Sequence, residues 1–246
     1  MSPGTRAPRR VAAVLAAVSL TVAACGAGAD PDPESSATPT ASRSTQDDVT
    51  ERDLRAALIR PGDIPPTHGT DFDVFALDED RPSGDDVVSG PSACADYLDD
   101  EVGADALHEV VSAYGDPVTT VTVTSVVQHF GQGDAAEVLA TVRDLVETCD
   151  RFEIELDGAV VEVDAYLADL AEMDAYEDVG DEGLLVGLLV IIDGVPIRGT
   201  ATTMVRVGDA VGTIGVEVPA NFGRDPSPEM TTLMDQRLRE LMEDAS

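Results

Sequence analysis

Cysteine, histidine and carboxylate are the side chains through which this 246-residue chain could do chemistry. Its three cysteines are Cys25, Cys94 and Cys149. Cys25 closes the run Val22-Ala23-Ala24-Cys25, the small-residue pattern at which a bacterial lipoprotein signal is cut, the thiol acylated and the cysteine left as the new N-terminus. Once Cys25 is lipidated, Cys94 and Cys149 remain as an even pair in an exported, oxidising setting, where bridging is the default. A disulfide between them is therefore expected. A redox or nucleophilic thiol would need a partnering base or a Cys-x-x-Cys spacing, and neither is present.

The other candidates are weaker. His129 sits on an apolar pattern with no acid or second histidine at ligand spacing, and reads as a core or edge histidine. Ser92, His68 and His108 have no supporting motif, although a triad assembled in space stays open. Acid pairs abound, among them Asp78-Glu79-Asp80, Asp85-Asp86, Asp99-Asp100-Glu101 and Glu177-Asp178, and that abundance makes each uninformative about acid-base catalysis. None has the spacing of a calcium loop, which leaves weak divalent binding at an acidic edge. No Gly-x-Ser-x-Gly, phosphate loop or His-Glu-x-x-His occurs. The reading is of no catalytic residue, no metal site and no cofactor.

Composition narrows the partners. Against 48 acidic residues stand 15 basic ones, all arginine, for a net charge of -33. Such a chain cannot displace counterions from a nucleic-acid backbone, so no nucleic acid is expected as a partner. With no Trp and 4% aromatics it also lacks the material for base-stacking platforms or aromatic cages. At 43% hydrophobic it can still bury a sizeable core. The acidity serves solubility, or it matches a cationic partner.

Three segments follow. Residues 1–24 form a signal peptide: Arg6, Arg9 and Arg10 precede Val11–Val22, in which only Ser19 and Thr21 are polar. The alternative is an uncleaved membrane helix, but the run is short of the roughly 20 residues that span a bilayer. Arg9-Arg10 lacks the surroundings of a twin-arginine signal, so general secretion is expected. Cleavage removes three positive charges and no acid, taking the chain from -33 to -36. An anionic membrane would repel it, so attachment falls to acyl chains on Cys25, at about 0.8 kcal/mol per buried methylene. Residues 25–50 form a lipidated flexible linker of small and polar residues that cannot offset its own ordering entropy. Its reach would be about 25 to 30 Å.

Residues 51–246 form the folded body. Thr50-Glu51-Arg52-Asp53 opens a capped helix with Leu54, Ala57 and Leu58 on one side, closed by Pro61-Gly62. Phe72–Leu77 reads as a short strand, Asp78–Ser89 as a surface loop and Ser92–Leu98 as a short helix. Val118–Phe130 alternates Val with Thr, placing Val121, Val123, Val127 and His129 on one strand face and Thr120, Thr122 and Thr124 on the other. A helix capped by Asp134 and Glu137 would bury Val138, Val142, Leu145 and Cys149. Arg151–Leu156 and Val160–Ala165 read as strands about Asp157-Gly158. Leu184–Ile192 suits a buried central strand, and turns at Asp193-Gly194 and Gly208-Asp209 build an antiparallel meander through Ala210–Val218. Ser227-Pro228-Glu229 starts a last helix with Met230, Leu233, Met234, Leu238 and Leu241 facing the core. The fold class is α+β, a mostly antiparallel sheet with helices packed on it.

In order, the lipobox and small-residue linker, Leu58-Ile59-Arg60-Pro61-Gly62-Asp63-Ile64-Pro65, Cys94-Ala95-Asp96-Tyr97-Leu98, the Ala-rich helix to Cys149, Val179-Gly180-Asp181-Glu182 and Val205-Arg206-Val207-Gly208-Asp209 resemble the PknH-like extracellular sensor domain family. That family occurs in actinobacterial lipoproteins and in the outer portion of a receptor serine/threonine kinase. The resemblance spans about Glu51 to Glu243 and implies helices and sheet forming a cleft that binds an unidentified ligand. Family members often carry two disulfides, whereas this body holds two cysteines in all. No kinase half is present in the sequence, so a signal would leave through another protein. Asp181 and Glu182 match a family step, but as residues they read first as a solvated turn. The expectation is an extracytoplasmic, membrane-anchored lipoprotein that binds or senses an envelope ligand, with cell-wall docking or a cryptic hydrolase as alternatives.

Overall fold

A computed structural model describes residues 49–75, 83–99, 105–156, 158–176, 178–219 and 227–245. Cys25, the signal segment and most of the linker lie outside the described residues, as do Asp78-Glu79-Asp80, Asp100-Glu101 and Glu177. Nine strands are formed: β1 (Asp73–Val74), β2 (Val87–Ser89), β3 (His108–Asp116), β4 (Val121–His129), β5 (Arg151–Leu156), β6 (Ala159–Asp169), β7 (Glu182–Ile192), β8 (Val195–Val207) and β9 (Ala210–Pro219). They make one antiparallel sheet in the order β1-β3-β4-β9-β8-β7-β6-β5-β2. Four helices pack on it: α1 (Glu51–Ala57), α2 (Ala93–Asp99), α3 (Asp134–Thr148) and α4 (Pro228–Asp244). The α+β class and the meander of β7, β8 and β9 are as the residue pattern requires.

Local chemistry explains the turns. Asp193 and Gly194 have φ of 53° and 75°, the positive pair that a two-residue hairpin needs to match strand twist. Between β3 and β4 the chain is held by Asp116, whose Oδ1 accepts from the backbone N–H of Val118 (2.7 Å) and Thr119 (3.0 Å), and whose Oδ2 accepts from Thr70 (3.1 Å). These bonds to the charged form hold the Asp116 carboxyl below the usual aspartate range.

Each sheet face has its own helices. On the first, α1 packs on β3 and β4 and α4 on β8 and β9, burying Leu54, Ile59, Val123, Val127, Ile214 and Val216 with Met230, Met234 and Leu238. Gly212 lets α4 come this close, since a Cβ there would lie 2.6 Å from Met234 Cγ. The Met stripe is thus core packing. The Thr50 hydroxyl and Asp53 carboxylate form the expected capping box of α1, and Ser227 Oγ accepts from Met230 N at 3.2 Å to cap α4. On the second face α3 packs on β6, β7 and β8, burying Leu139, Val142 and Val146 against Leu184, Val186 and Met204.

Several local expectations are corrected. The N-cap of α3 is Gly133, in a left-handed conformation and tied by its N–H to Asp209 Oδ1 at 3.0 Å, and Asp134 is already helical. The buried stripe of α3 runs Ala135, Leu139, Val142 and Val146, while Val138 and Leu145 are half-buried. The stripe is rotated because the sheet lies beside it at an angle that periodicity alone leaves open. β3 fills a stretch read without structure, and Val87–Ser89 is an edge strand where a loop was expected, because β5 offers it a pairing edge. The strand expected over Phe72–Leu77 shrinks to Asp73–Val74 among the described residues. Val118 and Thr120 belong to the β3–β4 turn, Thr120 having φ 58°. β7 lies one place off the sheet centre, and its end emerges into solvent at Ile192.

Candidate functional site

Rungs of the second face, read across from β4 through β9 to β8, gather polar side chains that the strand pattern scattered. One rung is Thr122, Glu217 and Thr200; the next is Thr124, Gly215 and Thr202; the third carries Thr213. Gln128 and Glu109 pair at the same face on β4 and β3. Thr124, Gln128, Thr200, Thr213 and Glu217 are buried. Buried polar groups persist only when bonded or paired. Arg198 supplies the charge for Glu217, with Nε at 2.7 Å from Oε1, and the Glu217 side chain is only 4% exposed. Gln128 Nε2 donates to Glu109 Oε2 at 2.8 Å, but burial outweighs that bond and pushes the Glu109 carboxyl above the usual glutamate range. Hydroxyls, an amide, a partly desolvated carboxylate and a neutralised ion pair can recognise hydrogen-bonding groups.

The cysteines behave as the even-pair argument requires. Cys94 of α2 and Cys149 at the end of α3 form a disulfide with Cα atoms 5.4 Å apart, fully buried with Phe152, Ile154, Val161, Val163 and Val190. The bridge fixes α2 onto the β5 side of the second face.

The remaining sequence candidates fall apart in space or into structure. His129 is buried, its Nδ1 has no hydrogen-bond partner, and desolvation holds its ring towards the neutral form. His108 faces it across β3 and β4, whereas His68 is in the segment before β1, where its Nδ1 meets the hydroxyl of its neighbour Thr67 at 3.3 Å. Ser92 is exposed at the start of α2. Among the described residues no three side chains of ligating type gather as a metal site.

Asp181 is an exposed bend before β7, as expected, whereas Glu182 corrects the expectation of a solvated turn. Glu182 begins β7 and receives Arg143 of α3 at 3.2 Å and Arg206 of β8 at 3.5 Å, while Arg143 also donates to Asp169 at 2.8 Å. Asp181 Oδ2 accepts from Gly208 N at 2.8 Å. These acids lock α3 to the meander. Sequence reasoning missed that role because the arginines come from two other elements, and it missed the polar rungs because β3 and the strand order were unseen.

A groove of about 320 Å³ between α1 and α4, lined by Val49, Ala56, Ala57, Leu241 and Ala245 with Asp53, Arg237, Glu240 and Asp244, lies where the body begins.

Among the described residues no helix is long and apolar enough to cross a membrane. No family model matches the chain, and no curated protein matches it. Solved structures do. The extracellular domain of PknH from Mycobacterium tuberculosis superposes with a TM-score of 0.57 at 12% identity, covering 80% of this chain and 99% of that one. At that identity the likeness concerns backbone architecture, and the chain therefore shares the fold of a known extracellular domain.

Proposed function

We propose that this chain is a non-catalytic recognition domain displayed outside the cytoplasm, anchored by acyl chains on Cys25 and binding an envelope ligand through the polar rungs of β3, β4, β9 and β8. The observation that carries the reading is the shared fold with an extracellular domain. The buried Cys94–Cys149 bridge supports it, since disulfides persist where the compartment is oxidising. The chemistry at the rungs supports recognition over turnover: Glu217 is neutralised by Arg198, and Glu109 is committed to Gln128. A ligand rich in hydroxyl or amide groups would exchange hydrogen bonds with Thr122 and Thr202, the half-buried members of the rungs.

Native mass spectrometry of protein taken gently from its own membrane tests both halves. The expected species lacks residues 1–24, carries acyl mass on Cys25 and shows a bound small molecule that is lost in a Thr122→Val/Thr202→Val variant. An intact N-terminus with a free Cys25 thiol would overturn the anchoring. A ligand retained undiminished by the double variant would overturn the site.

A further inference from the structure

The first face of the sheet is covered over β3, β4, β9 and much of β8, but among the described residues no helix packs on its other half. Register places three rungs there: Tyr166 beside Gly187; Arg151, Asp164, Leu189 and Gly199; and Glu153, Glu162, Ile191 and Pro196. Val160 and Ile197 lie at the same margin. Tyr166, Val160 and Ile197 are 40%, 58% and 41% exposed. Three exposed large apolar residues, with half-buried Leu189 and Ile191 between them, thus share one face, which marks an interaction surface in a way that single ones do not.

The glycines determine the shape of this patch. On the covered half, Gly183 and Gly212 receive side chains from outside the sheet, Leu170 and Met234. On the bare half, Gly187 receives the ring of Tyr166, and Gly199 receives Leu189, whose Cδ2 would lie 3.1 Å from an added Cβ. The bare half thus fills these hollows with side chains of its own strands. An apolar surface with its hollows filled suits a macromolecule better than a small ligand.

Charge selects the partner. Glu153 stands directly opposite Glu162, a like-charge pair that costs stability in a sheet. Glu155 and Asp164 flank them, and the register places one basic side chain among the described residues here, Arg151, already held by Asp164 at 2.7 Å. A second copy of this chain would bring carboxylate against carboxylate, and an anionic membrane would be repelled. We infer that the uncovered face of β5, β6, β7 and the start of β8 docks a basic, apolar segment of a partner protein. It lies on the sheet face opposite the polar rungs, so ligand and partner can be held at once, and its test does not depend on the ligand.

The probe is a synthetic peptide alternating arginine with leucine, titrated against the isolated full chain, with a glutamate-leucine peptide as control. Affinity is read by fluorescence anisotropy and the footprint by carbodiimide labelling of carboxylates. The expected result is saturable binding of the basic peptide with protection of Glu153, Glu155 and Glu162. Glu153→Gln/Glu162→Gln should weaken it about three- to tenfold, as expected for two exposed charge contacts, and Tyr166→Ser should weaken it with the salt dependence unchanged. Glu243→Gln/Asp244→Asn, an equal charge change on α4, should alter it less than about twofold. Equal weakening by the α4 variant, or protection spread over the molecule, would overturn the docking site as mere net charge. Carboxylates on this face already protected in dilute protein alone would assign the face to the chain's own segment. Protection that grows with protein concentration would assign it to a second copy. Either result refutes the proposal.

Discussion

Cys94→Ala/Cys149→Ala should lower the stability of the body by about 4 kcal/mol, the loop entropy released when a 55-residue closure is removed from the unfolded chain. The structure gives little reason for the native state to offset this. Both cysteines are fully buried in a cluster with Phe152, Ile154 and Val163, so the substitution also loses packing there. In a domain of this size each kcal/mol moves the thermal midpoint by about 2 to 4 °C, so a fall of about 8 to 16 °C is expected. Urea unfolding followed by far-ultraviolet circular dichroism measures the free energy. The native spectrum should be unchanged, and the denaturant slope should rise because the unlinked unfolded chain exposes more surface. A loss under about 1 kcal/mol with an unchanged slope would refute the reasoning, since the bridge would then constrain nothing that the unfolded chain is free to explore.

Other outcomes follow from single contacts. Gly212→Ala should cost about 1 to 3 kcal/mol by overpacking α4 against β9, measured by the same unfolding curves. Arg198→Leu should destabilise by about 3 to 5 kcal/mol because buried Glu217 loses its counter-charge, and Arg198→Leu/Glu217→Leu should recover much of that loss. For His129 the folded ring is held towards neutrality, so the unfolded state binds the extra proton below a pH of about 6.5. Stability should therefore fall as pH drops through that value, and His129→Leu should flatten this part of the pH profile. Asp116 is depressed instead, so its contribution is present above the ordinary aspartate range and lost as pH falls through the folded value. Asp116→Asn should reduce the acid-side slope of stability against pH.

Much of the architecture was legible from local chemistry. The Thr50 and Ser227 caps, the Asp193-Gly194 hairpin, the apolar run of β7 and the Met stripe of α4 each act within a few residues, where spacing and side-chain type decide the outcome. The misread elements share a different cause. β2 exists because β5 presents an edge to it, and the α3 stripe is rotated because β6, β7 and β8 set its facing angle. Glu182 was read as a turn residue because Arg143 lies 39 residues before it and Arg206 lies on the next strand.

The cysteines and the polar rungs mark the boundary. Parity and the expectation of export were enough to pair Cys94 with Cys149, since counting thiols requires no geometry. The juxtaposition of Thr124, Thr202, Glu217 and Arg198 required the order β4-β9-β8, in which strands distant along the chain become neighbours. So did the bare face: Tyr166 could be read as a strand residue, but only the placement of α1 and α4 decided that nothing in their packing covers it. Hydrogen-bond register and helix placement are set by the whole chain competing for one sheet, and no window of sequence contains that competition.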